Sequence, residues 1–291
     1  METSSLIKKV RKIEIRTRGL TNQVFAGQYH SAFKGKGIAF SEVREYHYGD
    51  DIRSIDWNVT ARMNHPFVKV FEEERELTVM LLIDMSRSNQ FGAYGRNKAE
   101  VIHEIAGVLA FSALANNDKV GLIFFTDVIE KFIPPKKGRN HILRILRELI
   151  TFEPANSGTD LAVPLKYLRN VMKKRSISFL LSDFNQKNSN FEEALAIVNK
   201  KHDVVCVRIF DIREREIPQM GILKFSDAET GKVFWIDTSN EGVQQKIKQW
   251  NYEHEAFLKR VFTKAGVDVA HIPTHQDFVR PLLNLFKSRS L

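Results

Sequence analysis

The spacing of apolar positions changes character near residue 76. From residue 77 onward, short continuous apolar runs recur: LTVMLLID (77–84), KVGLIFFTD (119–127), SISFLLSDF (176–184), DVVCVRIFD (203–211) and VDVAHI (267–272). Runs of this kind are what strands buried on both faces require. Between them, apolar residues recur at helical spacing over 96–115, 138–152, 160–174, 190–201, 240–265 and about 275–287. VIEKFIPP (128–135) reads as a hairpin partner at the sheet edge, ended by Pro134 and Pro135. MGILKFSDAETGKVFWID (220–237) reads as an inserted β-hairpin with DAETGK as its turn. Alternating strands and helices predict an α/β, doubly wound, mainly parallel sheet with helices on both faces.

Upstream the texture differs. SLIKKVRKIEIRT (5–17) suits a short basic amphipathic helix. VFAGQYHSAF (24–33), GIAFSEVREY (37–46), IDWNVTAR (55–62) and FVKVFEEER (67–75) are rich in aromatic and β-branched residues and are read as short strands. KGKG and HYGDD punctuate them as turns. The expected division is therefore residues 1–76, a helix and a small antiparallel β segment, and residues 77–291, the α/β domain with its hairpin insertion near 220–236.

Composition narrows the class. At 291 residues and 43% hydrophobic, the chain can bury a core without staples. The single cysteine, Cys206, lies inside an apolar run and is expected to be a small buried hydrophobe, which excludes an intramolecular disulfide and a cysteine zinc site. METSSLIKKVRKIEIRTRG has no apolar h-region, and the apolar runs fall short of the roughly 20 residues of a membrane helix, so a cytoplasmic protein is expected. The net charge of +9 is dispersed over short clusters, KKVRK, KGK, KKGR and KKR, which reads as a solvated basic surface.

The candidate chemistry lies at strand ends, where ligands of open α/β sheets bind. In LLIDMSRS, Asp84, Ser86 and Ser88 alternate, so in extended chain one carboxylate and two hydroxyls project together. Thr159 in NSGTDL precedes a helix, and Asp183 in LLSDF ends the next buried strand. Five hard oxygen donors with two carboxylates suit a divalent cation, Mg²⁺ first, with Mn²⁺ or Ca²⁺ as alternatives. The bland alternative makes Ser86 and Ser88 helix caps and leaves Asp183 bound to backbone.

This set, Asp84-x-Ser86-x-Ser88 with Thr159 and Asp183, resembles the metal-ion-dependent adhesion site of the von Willebrand factor A domain. The resemblance implies an ion that binds an Asp or Glu of a protein ligand. GIAFSEVREYHYGDDIRSIDWNVTAR (37–62) followed by PFVKVFEEERE (66–76) is similar to the hallmark of the bacterial domain-of-unknown-function-58 family, a likeness that covers nearly the whole chain. It implies association with MoxR-type AAA+ ATPases in protein assembly or remodelling. Within the hallmark, Arg44, Tyr46, Arg53, Trp57 and Arg62 are candidate partner contacts, since Arg, Tyr and Trp anchor interfaces. The competing reading is an ion-paired small sheet packed on the A domain and anchored by a mostly buried Trp57.

Two other functions compete with a non-enzymatic interaction module. A metal-dependent hydrolase needs only Asp84, Asp183 and an activated water, although no GxSxG, HExxH or GxxxxGK[ST] is present. Nucleic-acid binding has the net charge and KGKG in its favour but no groove-reading motif, and is not expected. The basic N-terminal helix would give only weak peripheral membrane attachment. His103 is expected to be structural or at the surface.

Overall fold

The computed structural model describes residues 26–33, 38–73, 76–92, 95–186, 191–226 and 231–290. The helix expected over residues 5–17 lies outside them. The chain divides into two units, Phe33–Leu77 and the remainder.

In the larger unit, a six-stranded sheet has the order β10-β7-β6-β3-β4-β5. Its strands are β3 (Thr78–Asp84), β4 (Lys119–Phe125), β5 (Ile129–Lys136), β6 (Ile177–Ser182), β7 (Asp203–Phe210) and β10 (Asp268–Pro273). All neighbours are parallel except β4 and β5. Pro134 and Pro135 do not end β5, as the sequence suggested. β5 runs on to Lys136, because the prolines fall where the register jumps between Val120 and Leu122, on an edge strand that needs no further donor there.

Side-chain alternation sorts the two faces. Met80 and Leu82 of β3, Ile123 and Phe125 of β4, Leu180 of β6 and Cys206 of β7 enter one apolar cluster. Leu165, Leu168, Leu195, Val198, Leu258 and Phe262 close that cluster from three helices: α5 (Ala162–Val171), α6 (Phe191–Lys201) and the C-terminal part of α8 (Glu241–Ala265). The other face receives α3 (Lys98–Ala115), which packs on β3, β4 and β7 and is flanked by α4 (Arg139–Thr151). Against β10 lies α9 (Val279–Ser290).

The inserted hairpin is β8 (Ile222–Ser226) with β9 (Val233–Asp237). It leaves Ile222 and Trp235 exposed, as are Trp250 and Tyr252 of α8. Between β7 and the hairpin, the short helix α7 (Ile212–Arg215) is capped by Asp211.

The segment VFAGQYHSAF is not a strand: Ala26–Phe33 forms helix α1. Tyr29 is fully buried edge-on to Phe286, and Asn116 donates to the carbonyl of Ala26, so tertiary contacts outweigh the β-like composition.

In the smaller unit, β1 (Ile38–Glu45) and β2 (Phe67–Glu73) form the expected antiparallel pair, with a bulge between Phe40 and Glu42. IDWNVTAR, also read as a strand, is helix α2 (Trp57–Met63). Asp56 caps its N-terminus by accepting from the N–H groups of Asn58 and Val59, and Asn64 ends it in the left-handed region at φ 58°. Trp57 is not buried: 67% of its surface is exposed at the first turn.

Candidate metal centre

The strand order reverses between β3 and β6. The chain leaves β3 toward β4 on one side and leaves β6 toward β7 on the other, so the crevice beyond their carboxyl ends is a topological switch point. Asp84 ends β3, Ser182 ends β6, and Asp183 follows directly after it. Ser182 donates its hydroxyl to Asp84 Oδ2 at 2.6 Å, while the Ser86 N–H donates to Asp84 Oδ1 at 2.9 Å.

Ser86 and Ser88 converge, but a turn achieves this instead of an extended chain. Residues 87–90 form a 3₁₀ turn, and the hydroxyls of Ser86 and Ser88 lie 3.0 Å apart. Ser86 makes no side-chain cap bond to that turn, so the capping alternative does not describe it. Asn89, buried in the turn, ties it down by donating to the carbonyl of Asp84 at 2.9 Å.

Thr159 arrives on the loop before α5. The N–H of Arg87 donates to the carbonyl of Ser157, and the N–H of Leu161 donates to Gln186 Oε1, so Thr159 sits in a stretch tied to both the β3 and β6 ends. Glu130 of β5 holds the same loop by accepting from the N–H groups of Ala155 and Asn156. Burial opposes the charge of Glu130, yet these backbone donors keep its carboxyl below the usual range. Thr159 Oγ1 and Asn89 Oδ1 are both buried and lack a hydrogen-bond partner among the described residues. Buried polar atoms are rarely left so, and buried oxygens without donors, one on the turn after β3 and one on the loop before α5, are what a cation would satisfy.

Asp183 is held by a cation of the chain itself. Lys98, fully buried at the start of α3, donates to Asp183 Oδ2 at 2.7 Å and to Glu214 Oε1 at 2.6 Å. The other oxygen of Asp183 accepts from the N–H of Asn185 at 3.0 Å. Phe184 takes the left-handed region at φ 57°, costly for an aromatic residue, and its fully buried ring packs edge-on to Phe262.

The two acids differ electrostatically. Burial, with the charge of Asp183 second, pushes Asp84 up to about 6. Burial raises Asp183 too, but the Lys98 ammonium outweighs it and holds that carboxyl below its ordinary value. Burial disfavours the ammonium of Lys98, and Asp183 with Glu214 more than restores it.

Sequence reasoning missed Lys98, Asn89, Ser182 and Glu214. The signal for Lys98 was present: it shares a helix face with Val101, Ile102, Ile105 and Leu109, all buried. A lysine on that stripe needs an acid partner.

Among the described residues, no group of three or more His, Cys, Asp or Glu is arranged to hold a metal ion, so the candidate centre depends on its hydroxyls. Cys206 is buried in β7, and burial pushes its thiol well above the ordinary range. His103 is half-buried on α3.

The other candidate residues lie in the smaller unit. Arg44 makes a two-pronged pair with Asp50 at 2.7 and 2.8 Å, Tyr46 is half-buried, and Arg53, Trp57 and Arg62 are exposed.

The family model described as a protein of unknown function, DUF58, matches residues 42–257. The chain belongs to the DUF58 family. An uncharacterized protein of Mycobacterium tuberculosis is 28% identical over 99% of this chain and 91% of its own length. An aerotolerance-related membrane protein of Bacteroides fragilis is similar in structure, with a TM-score of 0.50 at 16% identity over 74% of this chain and 98% of that one; this likeness concerns the fold alone. The von Willebrand factor type A structure from Catenulispora acidiphila gives a TM-score of 0.44 at 12% identity, over 77% of this chain and 43% of that one. Among the described residues of this DUF58 chain, no helix is long and apolar enough to cross a membrane.

Proposed function

We propose that this DUF58 protein is a non-enzymatic interaction module that binds a divalent cation, Mg²⁺ by preference, and uses it to recognise an acidic residue of a protein partner. Asp84, Ser86, Ser88, Thr159 and Asp183 would hold the ion. The observation that carries the reading is the buried Thr159 Oγ1, without a hydrogen-bond partner among the described residues, on a loop tied to the strand ends that bear the two carboxylates. An ion there would satisfy that oxygen and offset the charge that burial makes costly on Asp84. Hydroxyls and carboxylates form a hard, oxygen-only donor set, which favours Mg²⁺ over softer ions.

The exposed Arg53, Trp57 and Arg62 of the smaller unit support a second, docking role there, together with Arg44 and Tyr46. The partner in view is a MoxR-type AAA+ ATPase, as the family resemblance implies.

Calorimetric titration of Mg²⁺ and Mn²⁺ into wild type and Asp84→Ala tests the ion. One saturable site in wild type and none in the variant is the expected result. An EDTA-sensitive pull-down of the ATPase then tests recognition. Cation binding that survives in Asp84→Ala would place the ion elsewhere and end this reading.

A further inference from the structure

The buried ammonium of Lys98 lies against one of the five residues assigned to the cation. Its side chain is fully inaccessible, so its charge is balanced by what touches it: Asp183 at 2.7 Å and Glu214 at 2.6 Å. Glu214 is anchored independently of Lys98. Its Oε2 accepts from the N–H of Asp211 in the capping box of α7, and Asp211 in turn accepts from the Thr274 hydroxyl at 2.7 Å. Arg208 of β7 also reaches the turn after β6, donating its Nε to the carbonyl of Asp183 at 3.4 Å, while its Nη1 pairs with Glu255.

We propose that Lys98 is a tethered counter-ion that competes with the divalent cation for Asp183, and that Glu214 sets the strength of that competition by sharing the ammonium. This rests on the cation reading above. When Asp183 serves the ion, Glu214 remains as the partner that keeps a buried ammonium paired. The site is therefore built to bind its cation more weakly than its oxygen donors alone would. A buried positive charge two contacts from a divalent ion repels it strongly at low dielectric.

The two residues give effects of opposite sign. Lys98→Met removes the competitor and should tighten Mg²⁺ and Mn²⁺ binding by about tenfold or more. Glu214→Gln leaves Asp183 as the only anionic partner of Lys98 among the described residues and should weaken binding by roughly fivefold. A purely structural role for either residue would weaken binding in both variants. The experiment is calorimetry with Mn²⁺ and Mg²⁺ on the full chain of wild type, Lys98→Met and Glu214→Gln, with melting in EDTA as a fold control. Should Lys98→Met alone fail to fold, Lys98→Met/Glu214→Gln removes both halves of the pair and is also expected to bind more tightly than wild type. Binding in wild type that is unchanged or weakened without Lys98 overturns this proposal and spares the cation reading. Binding that appears only when Lys98 is removed supports it in its strongest form. Absence of binding in wild type and in every variant overturns the cation reading and this proposal together.

Discussion

Asp84→Asn should destroy cation binding and yet stabilise the cation-free protein. The wild-type carboxyl is buried, and its value rises from 3.8 to about 6 because burial and the nearby Asp183 both disfavour its charge. At about 1.4 kcal/mol per unit, ionised Asp84 costs the folded state up to about 3 kcal/mol. Because the folded-state value lies above the unfolded one, that cost is complete above about pH 6 and disappears as pH falls toward about 4. Asparagine keeps the shape and one acceptor for the Ser86 N–H, and the Ser182 hydroxyl can turn to accept from the new amide. Urea unfolding in EDTA, followed by circular dichroism, is the assay. At about pH 8 the variant should be the more stable by about 1–3 kcal/mol, and the two should converge near about pH 4. Saturating Mg²⁺ should then raise wild type and leave the variant unmoved. A variant less stable than wild type in EDTA at about pH 8 would refute the reasoning, since Asp84 would then be an anchor of the turn and not a strained ligand.

Three further outcomes are expected. His202 is held near 4 by burial, with the charges of Lys201 and Arg175 adding to it, so its contribution is present above about pH 6.5 and lost as pH falls; Asp84 acts in the opposite sense over the same range, so the comparison is between proteins, and His202→Gln should gain about 2 kcal/mol on wild type between about pH 7 and 5 by chemical denaturation. Gly121→Ala places a Cβ at 2.6 Å from the sulfur of Met80 and 3.0 Å from the carbonyl of Ile133, and should cost about 1–3 kcal/mol in the same assay. Trp57→Ala, at an exposed position, should change stability by no more than about 0.5 kcal/mol, and a larger loss would show that the ring packs after all.

The parallel strands were legible because burial on both faces leaves little choice of residue: β3, β4, β6 and β7 are almost uninterrupted apolar runs. Their carboxyl ends followed directly, and with them Asp84 and Asp183. The two short helices α1 and α2 were misread because aromatic and β-branched content was weighed above local chemistry. For α2 that chemistry was visible, with Asp56 as cap and Asn64 as stop. For α1 it was not, since the burial of Tyr29 against Phe286 joins residues far apart in the chain. The serine pair was found by an alternation argument, although the chain there turns. Lys98 was hidden by its type: a lysine at a helix start reads as solvated until its place on the apolar stripe is counted.

All three tryptophans of this chain, Trp57, Trp235 and Trp250, are half or more exposed. Indole emission in the native state therefore already resembles that of a solvated ring, and unfolding will shift it little. A partner that settles over any of them will remove water from that ring and move the emission to shorter wavelength. Intrinsic fluorescence, a poor gauge of folding here, becomes a label-free report of docking, and single Trp→Phe replacements would tell which of the three surfaces was covered.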